Sequence, residues 1–190
     1  MKLYIIRHGE TEGNAKHIFN GRIDTSLTEK GLVQAQKLAR RLKDIQIDIV
    51  ISSPLSRARD TAKEILKHHP ETQYKIDERI IEGDYGAMSG QLKPEKITWE
   101  TFPKDAETYE EMKKRGEEFL DEIRVKYSKK NVLLSSHGLM KRVLLSILTK
   151  EYLIEFPSEE VPNTAFTEIE ILEDGTHKIR CLNCAKHLDE

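Results

Sequence analysis

The sequence predicts an α/β fold built on a largely parallel sheet with helices on both faces. Three observations carry that prediction. Short, β-branched apolar runs at residues 2–6, 47–51 and 132–135 read as strands buried on both sides. Each is followed by a segment whose apolar residues recur at helical spacing. Strands that alternate with helices in this way form parallel sheets.

The elements follow in order. Lys2 to Ile6 is the first strand. Thr28 to Lys43 carries Leu32, Ala35, Leu38, Ala39 and Leu42 on one helical face. Ile47 to Ile51 is the second strand, and Pro54 opens a helix to about His69, since a first turn tolerates proline. Tyr74 to Ile81 reads as a weaker strand. Gly83, Gly86 and Gly90 predict loop. Gln91 to Ala106 has no periodicity and holds Pro94, Pro103 and the single tryptophan, Trp99. A flap-like insertion around 88–107 is expected, within a single domain spanning 1–190. Thr108 and Glu111 form a capping box for a helix to about Tyr127. Val132 to Ser135 is a strand and Leu139 to Leu148 a helix. Ala165 to Leu172 and His177 to Leu182 predict a terminal hairpin across Glu173-Asp174-Gly175.

The 190 residues suit one domain. Thirty-one basic residues nearly balance thirty-three acidic ones, which argues against a nucleic-acid or membrane binder. No apolar stretch approaches the roughly 20 residues of a membrane span, and the N-terminus lacks a signal-peptide pattern. Two cysteines predict no disulfide framework. A soluble cytoplasmic protein is expected.

Three strands end in polar clusters: Arg7-His8-Gly9, Ser52-Ser53-Pro54-Leu55-Ser56-Arg57 and Ser136-His137-Gly138. A parallel sheet places all three at one edge, where ligands of such sheets bind. Two arginines, two histidines and helix amino ends suit a phosphate. Each glycine lets the backbone turn and approach the ligand. A neutral imidazole there has a lone pair for phosphorus, and the arginines disfavour its charged form. Glu82, after the weak strand, is the candidate acid for the leaving alkoxide, and a phosphate dianion beside it favours the protonated form. Asp84 and Glu10 are rival carboxylates.

These residues resemble the histidine phosphatase superfamily, also called the phosphoglycerate mutase-like family. The likeness runs through Arg7-His8-Gly9-Glu10-Thr11, Asn14, Asn20-Gly21, Leu27 to Gly31, Ser52 to Leu55, Arg57-Ala58, Glu82 with Tyr85-Gly86, and Ser136-His137-Gly138. Asn163-Thr164 and Asn183 with His187-Leu188 look like the family's closing strands. The resemblance implies a three-layer α/β/α sandwich on a mixed sheet of about six strands, one antiparallel near the C-terminus. It implies a phosphohistidine on His8, phosphoryl contacts from Arg7, Arg57 and His137, and proton transfer by Glu82. Asn14, Asn20 and Gly21 become substrate contacts, and no metal or cofactor is needed. The implied activity is hydrolysis of a small phosphorylated metabolite. Two features favour a phosphatase over a phosphoglycerate mutase. Ala87-Met88-Ser89-Gly90 replaces a common Trp-Glu-Gly, and Trp99 is followed by Glu100 and Thr101 rather than paired arginines.

Other readings remain for these residues. The chain could be a mutase, or a non-catalytic phospho-ligand binding protein. Two histidines and a carboxylate also suit a facial metal triad, though adjacent arginines repel a divalent cation. Cys181 and Cys184 with His187 invite a zinc or redox reading, but three ligands leave a structural tetrahedral site incomplete. Lys113-Lys114-Arg115 is most simply a solvated helix face.

Overall fold

The computed structural model describes residues 1–94, 101–149, 161–172 and 174–189. Strands β1 (Lys2–Arg7), β2 (Ile49–Ser52), β3 (Gln73–Ile76) and β4 (Asn131–Ser136) run parallel. The terminal hairpin, β5 (Phe166–Ile171) and β6 (His177–Cys184), completes a sheet of order β3-β2-β4-β1-β5-β6. β5 is antiparallel to both of its neighbours, β1 and β6, so it alone opposes the other strands. A single turn, α1 (Glu12–Ala15), follows β1. The longer helices are α2 (Glu29–Leu42), α3 (Ser56–Leu66), α4 (Tyr109–Lys126) and α5 (Gly138–Thr149).

The two sides of β1 explain its unbroken apolar run. Leu3 and Ile5 join a core with Met112, Phe119 and Leu120 of α4 and Val143 and Leu144 of α5. Tyr4 and Ile6 join a second core with Leu38, Ala39 and Leu42 of α2 and Ala62 and Ile65 of α3. A strand between two helix layers has no solvent face, so its pattern cannot alternate. Burying each such Leu or Ile contributes roughly 1.5–3 kcal/mol. The result is a three-layer sandwich.

Caps fix the helix starts. Thr28 accepts from the Gly31 N–H at the start of α2, and Thr108 and Glu111 form the expected capping box on α4, worth about 1 kcal/mol. A second capping box, Thr11 with Asn14, starts α1. Four residues show no period, so α1 has no signal in the sequence.

Several boundaries differ from expectation. α3 starts at Ser56, two residues after Pro54, because the Ser53 N–H still pairs with the Ser135 carbonyl at 2.9 Å and holds the chain extended. It ends at Leu66 rather than His69. β2 begins at Ile49. β3 stops at Ile76, short of Ile81: the Asp77 carboxylate takes the Arg79 N–H and Nε–H, both at 2.9 Å, and turns Glu78–Ile80 into a 3-10 helix. Gly86–Met88 is another 3-10 turn within the expected loop. Asn163 and Thr164 are not strand residues but precede β5, with Thr164 at φ 58°. His187 and Leu188 lie in a 3-10 turn after β6. Of the expected flap, residues 95–100 with Trp99 lie outside the described residues. Its near flank is tied down, since Gly90 N–H bonds Phe19, Phe19 N–H bonds Gln91 and Lys93 N–H bonds His17.

Candidate active site

Parallel pairing of β1, β4 and β2 sets Arg7 opposite Ser136 and Ser52 opposite Ser135, so the three strands end together at the carboxyl edge. The three polar clusters meet there, around a cavity of about 200 Å³. Arg7, His8, Arg57, Glu82, Asn14, Asn20 and Gly21 all line it. His137 stands behind them, fully buried.

His8 is 3% exposed and fixed from several directions. Its N–H bonds Ser136, and its carbonyl accepts from Thr164 N–H at 3.2 Å and Asn163 Nδ2 at 3.1 Å. Its Nδ1 lies 2.7 Å from the Gly9 carbonyl, which only accepts, so Nδ1 carries the proton. Nε2 therefore holds the lone pair, and it faces the Arg57 Nε–H at 3.2 Å. Gly9 serves a different purpose from the expected approach to ligand. A Cβ on Gly9 would lie 2.4 Å from the Gly31 carbonyl oxygen, so its bareness seats α2.

Arg57 is 1% exposed and joins the parts of the site. Its Nε–H is shared with His137 Nδ1 at 3.3 Å, which leaves His137 Nε2–H to donate to Ser53 Oγ at 2.7 Å. Nη1 and Nη2 donate to the carbonyls of Ile23 and Gly21, both at 2.7 Å. The 20–24 loop is clamped to α3 a second way, since the Asp24 carboxylate accepts from Ser56 N–H and Oγ. Arg7 donates from Nη1 to the Val161 carbonyl.

Burial is the first cause that pushes both His8 and His137 well below the ordinary histidine pKa; the positive field of Arg57 comes second for each. The sequence credits the arginines alone, whereas desolvation does more. Burial likewise pushes the Tyr85 phenol well above its usual value, with Glu82 adding to the effect. His187, buried beneath Thr164, is lowered to about 4, again chiefly by burial.

Depressed histidines couple stability to acid. The unfolded chain takes up protons below pH 6.5 while these folded rings resist them, so stability falls as pH drops through that value. Each of His8, His137 and His187 should remove about 1.4 kcal/mol per pH unit below 6.5, down to its own folded pKa. The urea midpoint should drop steeply between pH 7 and pH 5; equal midpoints would refute the assignment of neutral rings.

Glu82 is 6% exposed and caps α5. Oε1 accepts from Gly83 N–H and Met140 N–H, both at 3.0 Å, and Oε2 from Leu139 N–H at 3.3 Å. The rival carboxylates are elsewhere. Glu10 pairs with Lys30 and Thr28 at the start of α2, and Asp84 accepts from Gly86 N–H. Neither lines the cavity.

The three expected substrate contacts have mixed positions. Asn14 Oδ1 accepts from Thr11 and Asn163, while its Nδ2 has no partner among the described residues. Asn20 spends its Nδ2 on Thr11 Oγ1 at 2.8 Å, and Gly21 offers its carbonyl to Arg57. These two shape the wall and hold the arginine. Arg142 also lines the cavity and was not anticipated. Lys141-Arg142 is the only charged pair in the otherwise apolar α5, and that break in pattern was its signal. Among the described residues, no group of three or more His, Cys, Asp or Glu could hold a metal ion.

The model of the histidine phosphatase superfamily (branch 1) matches residues 3–184. The chain belongs to that superfamily. It is 32% identical to phosphoserine phosphatase 1 of Hydrogenobacter thermophilus, over all of this chain and 95% of that protein. Among solved structures, a phosphoserine phosphatase mutant from Entamoeba histolytica in complex with phosphoserine superposes with a TM-score of 0.84 at 26% identity, covering 98% of each chain. A phosphoglycerate mutase from Bacillus anthracis shares the fold with a TM-score of 0.84 at 24% identity, over 100% of this chain and 95% of that one. The sandwich is thus phosphoglycerate mutase-like. None of the helices among the described residues is long and apolar enough to cross a membrane.

Proposed function

We propose that this superfamily member is a metal-independent phosphatase that hydrolyses a small phosphomonoester through a phosphohistidine on His8. The observation that carries this is the tautomer. The Gly9 carbonyl holds the proton on Nδ1, leaving the Nε2 lone pair at a cavity lined by Arg7, Arg57, Lys93 and Arg142. Attack by Nε2 forms the N–P bond and breaks the ester P–O bond. Positive charge then develops on the ring, and the Nδ1–H bond to Gly9 strengthens as it does. The Arg57 Nε–H that faced the lone pair turns to a phosphoryl oxygen, joined by Arg7, and His137 joins them when its Nε2–H leaves Ser53 Oγ. Each fixed donor supplies on the order of 3 kcal/mol. Glu82 protonates the leaving alkoxide, then takes a proton from the water that releases phosphate.

The relatives named as phosphoserine phosphatases support hydrolysis, and a cavity of about 200 Å³ suits a small substrate. Brief mixing with labelled phosphomonoesters and quenching should trap acid-labile, alkali-stable phosphate on His8, with turnover unaffected by a chelator. Absence of that label during turnover would refute the intermediate. Faster isomerisation than hydrolysis of a phosphoglycerate would instead identify a mutase.

A further inference from the structure

Cys181 and Cys184 lie on β6 three residues apart. In a regular strand, that spacing points side chains to opposite faces. Here the register departs from regular. Cys181 pairs with Glu168 and Cys184 with Phe166, so three steps on β6 match two on β5. Phe166 and Glu168 share a face, and a bulge therefore turns both cysteines onto that same face. Both pack against the core of Tyr4, Ile6 and Phe166, and both are half-buried free thiols. Asn183, at φ 45°, forms the kink, and Thr167 pins it: Thr167 Oγ1 accepts from Asn183 N–H at 3.0 Å and donates to Asn183 Oδ1 at 3.3 Å. Two strand steps span about 6.8 Å at most, the upper end of the Cα separation a disulfide bridges.

The pair connects to His8 through few bonds. Three residues beyond Cys184, His187 is 1% exposed and bonds Thr164 Oγ1 at 2.9 Å. Its Nδ1 has no partner among the described residues, so the Thr164 hydroxyl is the one hydrogen bond on that ring. The Thr164 N–H holds the His8 carbonyl, and the adjacent Ala165 carbonyl accepts from Arg7 N–H and Lys141 Nζ.

We propose that Cys181 and Cys184 are a reversible disulfide site, closed by a hydroperoxide, through which oxidation acts on His8. Burial and the neighbouring Cys184 push the Cys181 thiol up, which suits Cys181 to the second, resolving step. The Cys184 thiolate takes the distal peroxide oxygen; the O–O bond breaks, the alkoxide leaves as alcohol, and Cys184 becomes a sulfenic acid. The Cys181 sulfur then displaces water from it, forming the S–S bond. In sum, two thiols and one hydroperoxide give a disulfide, an alcohol and water. Closing the bond draws Cys184 along the bulge and moves the Ala185–His187 segment, which loosens Thr164 beneath His8.

These are the chain's only two cysteines, so any intrachain disulfide is this one. The reduced full chain, treated with stoichiometric hydrogen peroxide, should yield a monomer lighter by two hydrogens. Hydrolysis of p-nitrophenyl phosphate should fall about tenfold, as expected for a displaced catalytic group, and recover with dithiothreitol. Cys181→Ser and Cys184→Ser should keep their rate after peroxide. A sulfinic monomer or a linked dimer without the lighter monomer overturns the site. The lighter monomer with an unchanged rate overturns its action on His8. The mass measurement stands whether or not His8 proves to be the nucleophile.

Discussion

Replacing His8 with alanine is expected to lower kcat at least about ten-thousandfold, because the variant loses the nucleophile rather than one stabilising contact. Arg7, Arg57 and His137 remain to hold a phosphoryl group. Affinity for inorganic phosphate, measured by inhibition or calorimetry, should therefore stay within about tenfold of the parent, the worth of one ordinary hydrogen bond. The fold should survive, since β1 is anchored by Leu3, Tyr4, Ile5 and Ile6 on both faces. The parent's pH profile adds an independent check. His8 titrates well below 6.5, chiefly through burial, so the lone pair stays available into mildly acidic solution. The acid limb of kcat/KM should lie below pH 6.5. A His8→Ala enzyme within tenfold of the parent, or an acid limb at the ordinary histidine value, would remove His8 from the reaction.

Much of this site is written at strand ends. Residues 3–6 and 132–134 are apolar because both sheet faces are covered, and a parallel sheet sends their polar sequels to one edge. That logic places His8, Arg57 and His137 together without coordinates. It does not reach contacts between segments distant in sequence. The donors of Arg57 go to carbonyls of Gly21 and Ile23, and a backbone carbonyl has no sequence signature. Gly9 is bare for Gly31, a fact about how α2 crosses β1 rather than about the motif. Arg142 reaches the cavity through the pitch of α5. The shortened β3 turns on Asp77 bonding its own neighbour Arg79, which competes locally with strand pairing. The bulge at Asn183 is invisible in a linear spacing, and so was the shared face of the two cysteines.

Glu82→Gln separates the chemical role of that residue from its structural one. Its carboxylate caps α5 with two N–H bonds, from Leu139 and Met140, and takes a third from Gly83, so a loss of activity alone would not distinguish a missing proton from a disturbed helix. Glutamine keeps one carbonyl acceptor but aims an NH2 group at a backbone N–H. That mismatch should cost about 0.5–2 kcal/mol, as for a lost cap, visible as a lower Tm. The leaving group supplies the discrimination. An alkyl alkoxide needs a proton as it departs, and losing a positioned acid should cost roughly a hundred- to ten-thousandfold in kcat. A p-nitrophenolate leaves unaided, so that substrate should lose far less in the phosphorylation step. Helix distortion would displace His137 and the cavity wall for both substrates alike. The decisive quantity is therefore the ratio of the two losses in single-turnover rates. A ratio near one would make Glu82 a cap and nothing more. A ratio of a hundred or above would assign it the proton, because no displacement of α5 makes one ester's oxygen more basic than another's.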